Sequence, residues 1–61
     1  MCLATVIRKR DGSTILKNVS RIDVEGDMLR IRDVMGDEKE VQGSIRMVDL
    51  ANSIVELECA D

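Results

Sequence analysis

The residues best suited to chemistry in this sequence stand at its start, where Cys2 lies one peptide bond from the first amine in the run Met1-Cys2-Leu3-Ala4-Thr5-Val6. An α-amine titrates near pH ~8 and a free thiol near ~8.5, so a divalent metal that displaces their protons finds adjacent nitrogen and sulfur donors. If Met1 is removed, the amine and thiolate of Cys2 close one chelate ring. If Met1 is kept, its amine, the deprotonated amide of Cys2 and the Cys2 thiolate can bind along one chain. The competing reading makes Cys2 a small hydrophobe in the first strand.

Other constellations offer less. There is no His, which removes the commonest general base and metal ligand. With no CxxC and no Gly-rich phosphate loop, nothing pairs a nucleophile with a base, and the pattern argues against an enzyme. Asp23 with Glu25, and Asp37 with Glu38 and Glu40, read as solvated charge on turns and exposed faces. Met28, Met35 and Met47 are scattered and read as gap-fillers rather than thioether ligands. Nucleic acid is the alternative that a small β-barrel suggests by fold alone, with Arg8, Lys9, Arg10, Arg30 and Arg32 as the available cations. Single-strand binders combine a basic groove with aromatic platforms, whereas this chain carries net charge −3 and no aromatic residue. No useful RNA affinity is expected.

The elements that must position Cys2 read as strands. Cys2, Ala4 and Val6 alternate with Leu3, Thr5 and Ile7, and because both faces are largely apolar the strand should be covered on both sides, by the core and by a closing strand or second subunit. Arg8-Lys9-Arg10 leads into the turn Asp11-Gly12-Ser13 and reads as a solvated hairpin end. Ile15 and Leu16 form a short return strand. Asn18 to Glu25 is half-buried, Gly26-Asp27 turns, and Met28 to Val34 points Leu29 and Ile31 inward with Met28, Arg30 and Arg32 opposite. Gly36-Asp37 closes that hairpin, Glu38 to Val41 is a short charged strand, and Gly43-Ser44 turns the chain again. Ile45 to Leu50 fits alternation imperfectly but is read as strand. Ala51-Asn52-Ser53 breaks it, and Ile54 to Cys59 sets Val55, Leu57 and Cys59 against Glu56 and Glu58, which makes Cys59 a core residue. Turn signals every ~8 to 12 residues predict an all-β fold, a small barrel of about five to seven short strands with little helix.

Composition bounds the rest. Sixty-one residues make a single domain, 1–61, and a chain this short buries only roughly 60% of its unfolded surface, so it needs support from a partner. Hydrophobic residues at 44% suffice for a folded core, but without a ring that core is Val, Ile, Leu and Met, which argues for self-association. A homodimer using the first strand is expected, because Leu3 and Ile7 leave apolar surface opposite Ala4 and Val6. Cys2 and Cys59 at opposite ends do not form a disulfide-scaffold pattern and fit a reduced, cytoplasmic protein. No run approaches the ~20 apolar residues of a membrane span.

Met-Cys-Leu-Ala-Thr-Val at the start, Val-Ser-Arg-Ile-Asp-Val-Glu-Gly at 19–26 and Met-Gly-Asp-Glu-Lys-Glu-Val-Gln-Gly at 35–43 together resemble the CooT family over nearly the whole chain. The resemblance implies a small nickel-binding homodimer with an SH3-like or Sm-like barrel, associated in some members with maturation of nickel-containing carbon monoxide dehydrogenase. It carries one site residue, Cys2, as the nickel ligand, and Ni(II) as the ion. A near-planar site of two amine–thiolate pairs, one from each subunit, would favour Ni(II) or Cu(II) over tetrahedral Zn(II). Cys59 matches no site of that family.

Overall fold

The computed structural model describes residues 3–59. Five strands follow one another: β1 (Ala4–Arg8), β2 (Thr14–Glu25), β3 (Met28–Asp33), β4 (Glu38–Asp49) and β5 (Ile54–Cys59). They close into a barrel in sequence order, antiparallel from β1 to β5, with β5 then lying parallel to β1. The described residues form no helix. Closure removes the unpaired sheet edges that would otherwise template aggregation, which matters in so small an apolar chain.

The strand count falls within the expected range, but two strands are not short. β2 and β4 are each 12 residues long, and each merges two segments that the sequence reading separates. In β2 the junction is Asn18, whose φ of 57° is left-handed, a conformation asparagine tolerates. Pairing of β1 with β2 shifts register between Ala4 and Val6 and again between Val6 and Ile7, so β2 carries extra residues and bends around the barrel. In β4 the pair Gly43-Ser44 does not turn the chain at all. Gly43 lies inside the strand opposite Cys59, where an added Cβ would collide with the Glu58 carbonyl oxygen and come within 2.9 Å of the Cys59 Cα. The glycine is there for close backbone approach at a barrel bend rather than for a turn.

The core is a ring-free cluster of Val6, Ile15, Val19, Leu29, Ile31, Val55 and Leu57, with Ala4, Leu16, Ile22, Val41 and Cys59 packed against it. Every strand but β4 contributes a buried hydrophobic side chain. β4 contributes half-buried Val41 opposite Leu29, and Lys39 opposite Ile31. Lys39 itself is exposed, and its ammonium donates to the Ile15 carbonyl at 3.2 Å. On the outer face of the same strand pair, Arg30 bonds Glu40 and Arg32 bonds Glu38.

Candidate functional site

Cys2, the metal ligand expected from the sequence, lies outside the described residues, so its surroundings are built from Leu3 onward. The fold settles which face of the first strand packs inward. Val6 is completely buried opposite Val55, and Ala4 packs on the same cluster. By alternation Leu3, Thr5 and Ile7 face out. Thr5 is paired with Ile54 and Ile7 with Glu56, and across β4 Glu56 is paired with Met47. Because cross-strand partners share a face, the outside of β1, β5 and the second half of β4 carries Leu3, Ile7, Ile54 and Met47 together with the polar Thr5, Glu56 and Asp49.

One end of that surface is held by a short turn. Asp49 accepts the Asn52 backbone N–H at 3.1 Å and its side-chain amide at 2.9 Å, and these bonds hold the Asp49 carboxyl below the ordinary aspartate range. Ser53 follows with a left-handed φ of 56°, and its carbonyl receives the Thr5 N–H at 2.8 Å. This bond starts the β1–β5 pairing, so the turn fixes the strand two residues after Leu3. Leu3, Ala4, Val48, Leu50, Ile54 and Val55 line a shallow apolar hollow beside it. Leu50 is 80% exposed at its rim.

Cys59 is placed far from this end. In the parallel β1–β5 register it is level with Arg10, seven residues along the strand direction from Leu3, which is on the order of 20 Å. Its thiol is free, half-buried and packed against the core cluster, in agreement with the core reading. The cations proposed for nucleic acid are also divided. Arg30 lies against Glu40 and Glu25, and Arg32 against Glu38, on the β3–β4 face, while Arg8, Lys9 and Arg10 stand on the hairpin between β1 and β2. Of the carboxylates read as solvated charge, Asp23 pairs with Arg21, and Glu25, Glu38 and Glu40 pair as just described. Among the described residues no group of three or more His, Cys, Asp or Glu could hold a metal ion.

Two aspartates do work that the sequence reading missed. Asp49 closes the turn beside Leu3. Asp33, only 9% exposed, accepts the N–H groups of Met35 at 2.9 Å and Asp37 at 3.0 Å and so organises the β3–β4 turn. The available signal was an aspartate ahead of a Gly-containing or Asn-containing segment, the pattern of a side chain satisfying its own turn.

A small closed barrel of five strands, with apolar residues on the outer face that reaches its N-terminal end, defines the structural class. Within that class the sequence profile of "CO dehydrogenase accessory protein CooT" matches residues 1–58, and the chain belongs to the CooT family. Among solved structures, "Crystal structure of putative CooT from Carboxydothermus hydrogenoformans" is similar with a TM-score of 0.89 at 19% identity, covering 98% of this chain and 100% of that one. At that identity the likeness establishes the fold. No curated protein matches the chain. The family is described as one of accessory proteins to CO dehydrogenase. No helix among the described residues is long and apolar enough to cross a membrane.

Proposed function

We propose that this protein is a cytoplasmic nickel-handling accessory protein, which binds Ni(II) at Cys2 as a homodimer and supports maturation of a nickel enzyme of the CO dehydrogenase type. The ion is cargo. The observation that carries the reading is the orientation of β1: its Val6 side fills the core, so Leu3 and Ile7 join Ile54 and Met47 on the outer surface, directly after Cys2 in the chain. A two-fold contact over this surface uses the same patch on both copies and brings the two chain starts to a common boundary. Each would supply a thiolate and a terminal nitrogen, and two such pairs fill four planar positions, the arrangement that suits Ni(II). A thiolate site of this kind also needs the reducing compartment in which unpaired cysteines persist. RNA binding gains nothing from the fold, since Arg30 and Arg32 are already matched by carboxylates and the triplet at Arg8 is on another face.

Native mass spectrometry of the untagged chain tests both halves of the reading at once. The expected species is a dimer carrying nickel, and the same spectrum reports whether Met1 is retained. A monomer at micromolar concentration that takes up no nickel contradicts it.

A further inference from the structure

Half of the large hydrophobic side chains that the described residues leave exposed lie on one stretch, at Ile45, Met47, Val48 and Leu50. Val48 is paired with buried Val55 and so stands on the inward row of β4, yet it is 53% exposed, one residue before the strand ends at Asp49. The hollow lined by Leu3, Val48, Ile54 and Val55 opens at this point, with a volume of about 50 Å³. That exceeds the roughly 10–15 Å³ one water needs and falls far below the roughly 300 Å³ at which ligand pockets begin, so it has the size of one aliphatic side chain. The polar groups at its rim are already engaged. Asp49 accepts the backbone and side-chain N–H groups of Asn52, and the Ser53 carbonyl accepts the Thr5 N–H. An occupant gains there by burying carbon, and a charged one would lose its water without a partner.

A projecting side chain stands beside this hollow. Leu50 follows Asp49 in the turn and is 80% exposed, on a backbone that the two bonds between Asp49 and Asn52 hold in place. In its own barrel Leu50 rims the hollow without filling it. A two-fold axis sets a patch against itself, so a patch with both a projecting leucine and an unfilled hollow of its size is complementary to its own copy. Extent points the same way. An ordinary interface covers roughly 800 Å² per subunit, about a fifth of the 4222 Å² that this chain exposes. A contact of that size over the outside of β1, β5 and β4 runs onto the hollow, because Leu3 and Ile54 belong to both.

We infer that Leu50 of each subunit fills the hollow of the other, so that two reciprocal contacts lock the homodimer at the barrel end where β1 starts. The inference rests on the homodimer proposed above and adds which side chains hold it together. Asp49 and Asn52 then act as positioning residues, because their bonds aim the leucine.

Methyl NMR of the untagged, nickel-loaded full chain, mixed from carbon-13-labelled and unlabelled copies, tests it. Intersubunit Overhauser contacts are expected from the Leu50 methyls of one copy to Val48 and Ile54 of the other. Leu50→Ala should raise the dimer dissociation constant about tenfold or more, since both contacts shrink at once, whereas Met35→Ala, at an 83% exposed position on the β3–β4 turn, should leave it unchanged. Leu50→Lys and Val48→Asp should each weaken self-association, and a mixture of these two chains should form the mixed pair in preference to either homodimer in native mass spectrometry. A wild-type chain that sediments as a monomer with and without nickel contradicts the homodimer itself, and the inference with it. A dimer without intersubunit contacts of Leu50, an unchanged constant in Leu50→Ala, or no preference for the mixed pair overturns the inference alone and leaves the homodimer standing.

Discussion

Asp33 shows how much one side chain holds in a core this small. Its carboxylate takes two N–H groups of the β3–β4 turn from a nearly buried position, and replacing it with Ala leaves both donors to find other partners. Asp33→Ala should cost about 1–3 kcal/mol in denaturant unfolding. Asp33→Asn, which keeps an acceptor, should cost less. Cys59→Ser places a hydroxyl where a half-buried thiol packs against the core, so it should cost at most about 1 kcal/mol and leave nickel binding unchanged. Asp11 and Asp49 have pKa values held below the ordinary 3.8, chiefly by bonds from Ser13 and Asn52 respectively. In each case the folded value is the lower one, so the contribution is fully present above the unfolded value and is lost as pH falls through the folded one. Stability should therefore be flat at neutral pH and decline on acidification below about pH 4, as a melting series in acid will show. Asp11 is exposed and Asp49 only partly buried, so the decline from these two alone is shallow.

At the scale of elements the decisive residue is Gly43. Gly43→Ala forces a Cβ against the backbone of Glu58 and Cys59, neither of which can yield as a flexible side chain would, and should destabilise the barrel by about 1–3 kcal/mol or more. Gly26→Ala, at an open turn with nothing within 4 Å, suffers only from its φ of 62° and should cost less. Comparing the two midpoints separates close approach from turn geometry. The same residue marks where the sequence misled. Gly43-Ser44 looks like Gly26-Asp27 by composition, and only the distant partner strand β5 distinguishes a bend within a strand from a turn between strands. Asn18 likewise hid the continuity of β2, because a left-handed residue inside a bent strand has the local signature of a break. By contrast β3 was legible, since Leu29 and Ile31 alternate with Arg30 and Arg32 and their paired acids on β4 complete the pattern. The inward face of β1 was not legible, because Leu3, Thr5 and Ile7 are nearly as apolar as Ala4 and Val6. The parallel pairing with β5 decides it. Asp33 and Asp49 escaped notice because the bonds that make them matter run to backbone groups of the turns they precede.

For the whole molecule, the proposed two-fold contact over the outside of β1, β5 and β4 would supply the burial that a ring-free chain of 61 residues lacks alone. Ile54→Asp, at an outward position paired with Thr5, should shift sedimentation equilibrium towards monomer while the barrel stays folded. The same change at exposed Val24, on the tip of the β2–β3 hairpin, should leave assembly as it is. Single-stranded RNA should show no salt-sensitive submicromolar binding, and neutralising Arg30 and Arg32 should change nothing in that assay. The central claim is that nickel is held by Cys2 at the boundary between two subunits. It is tested most directly by titrating Ni(II) into the untagged wild-type chain and into Cys2→Ser while recording thiolate-to-nickel absorption, for which a protein without aromatic residues leaves a clear background. The account predicts saturation at one nickel per dimer, an affinity that rises with pH as amine and thiol lose their protons, and loss of the band and of tight binding in Cys2→Ser with the fold intact. Nickel binding by Cys2→Ser as tight as that of the wild type would contradict it.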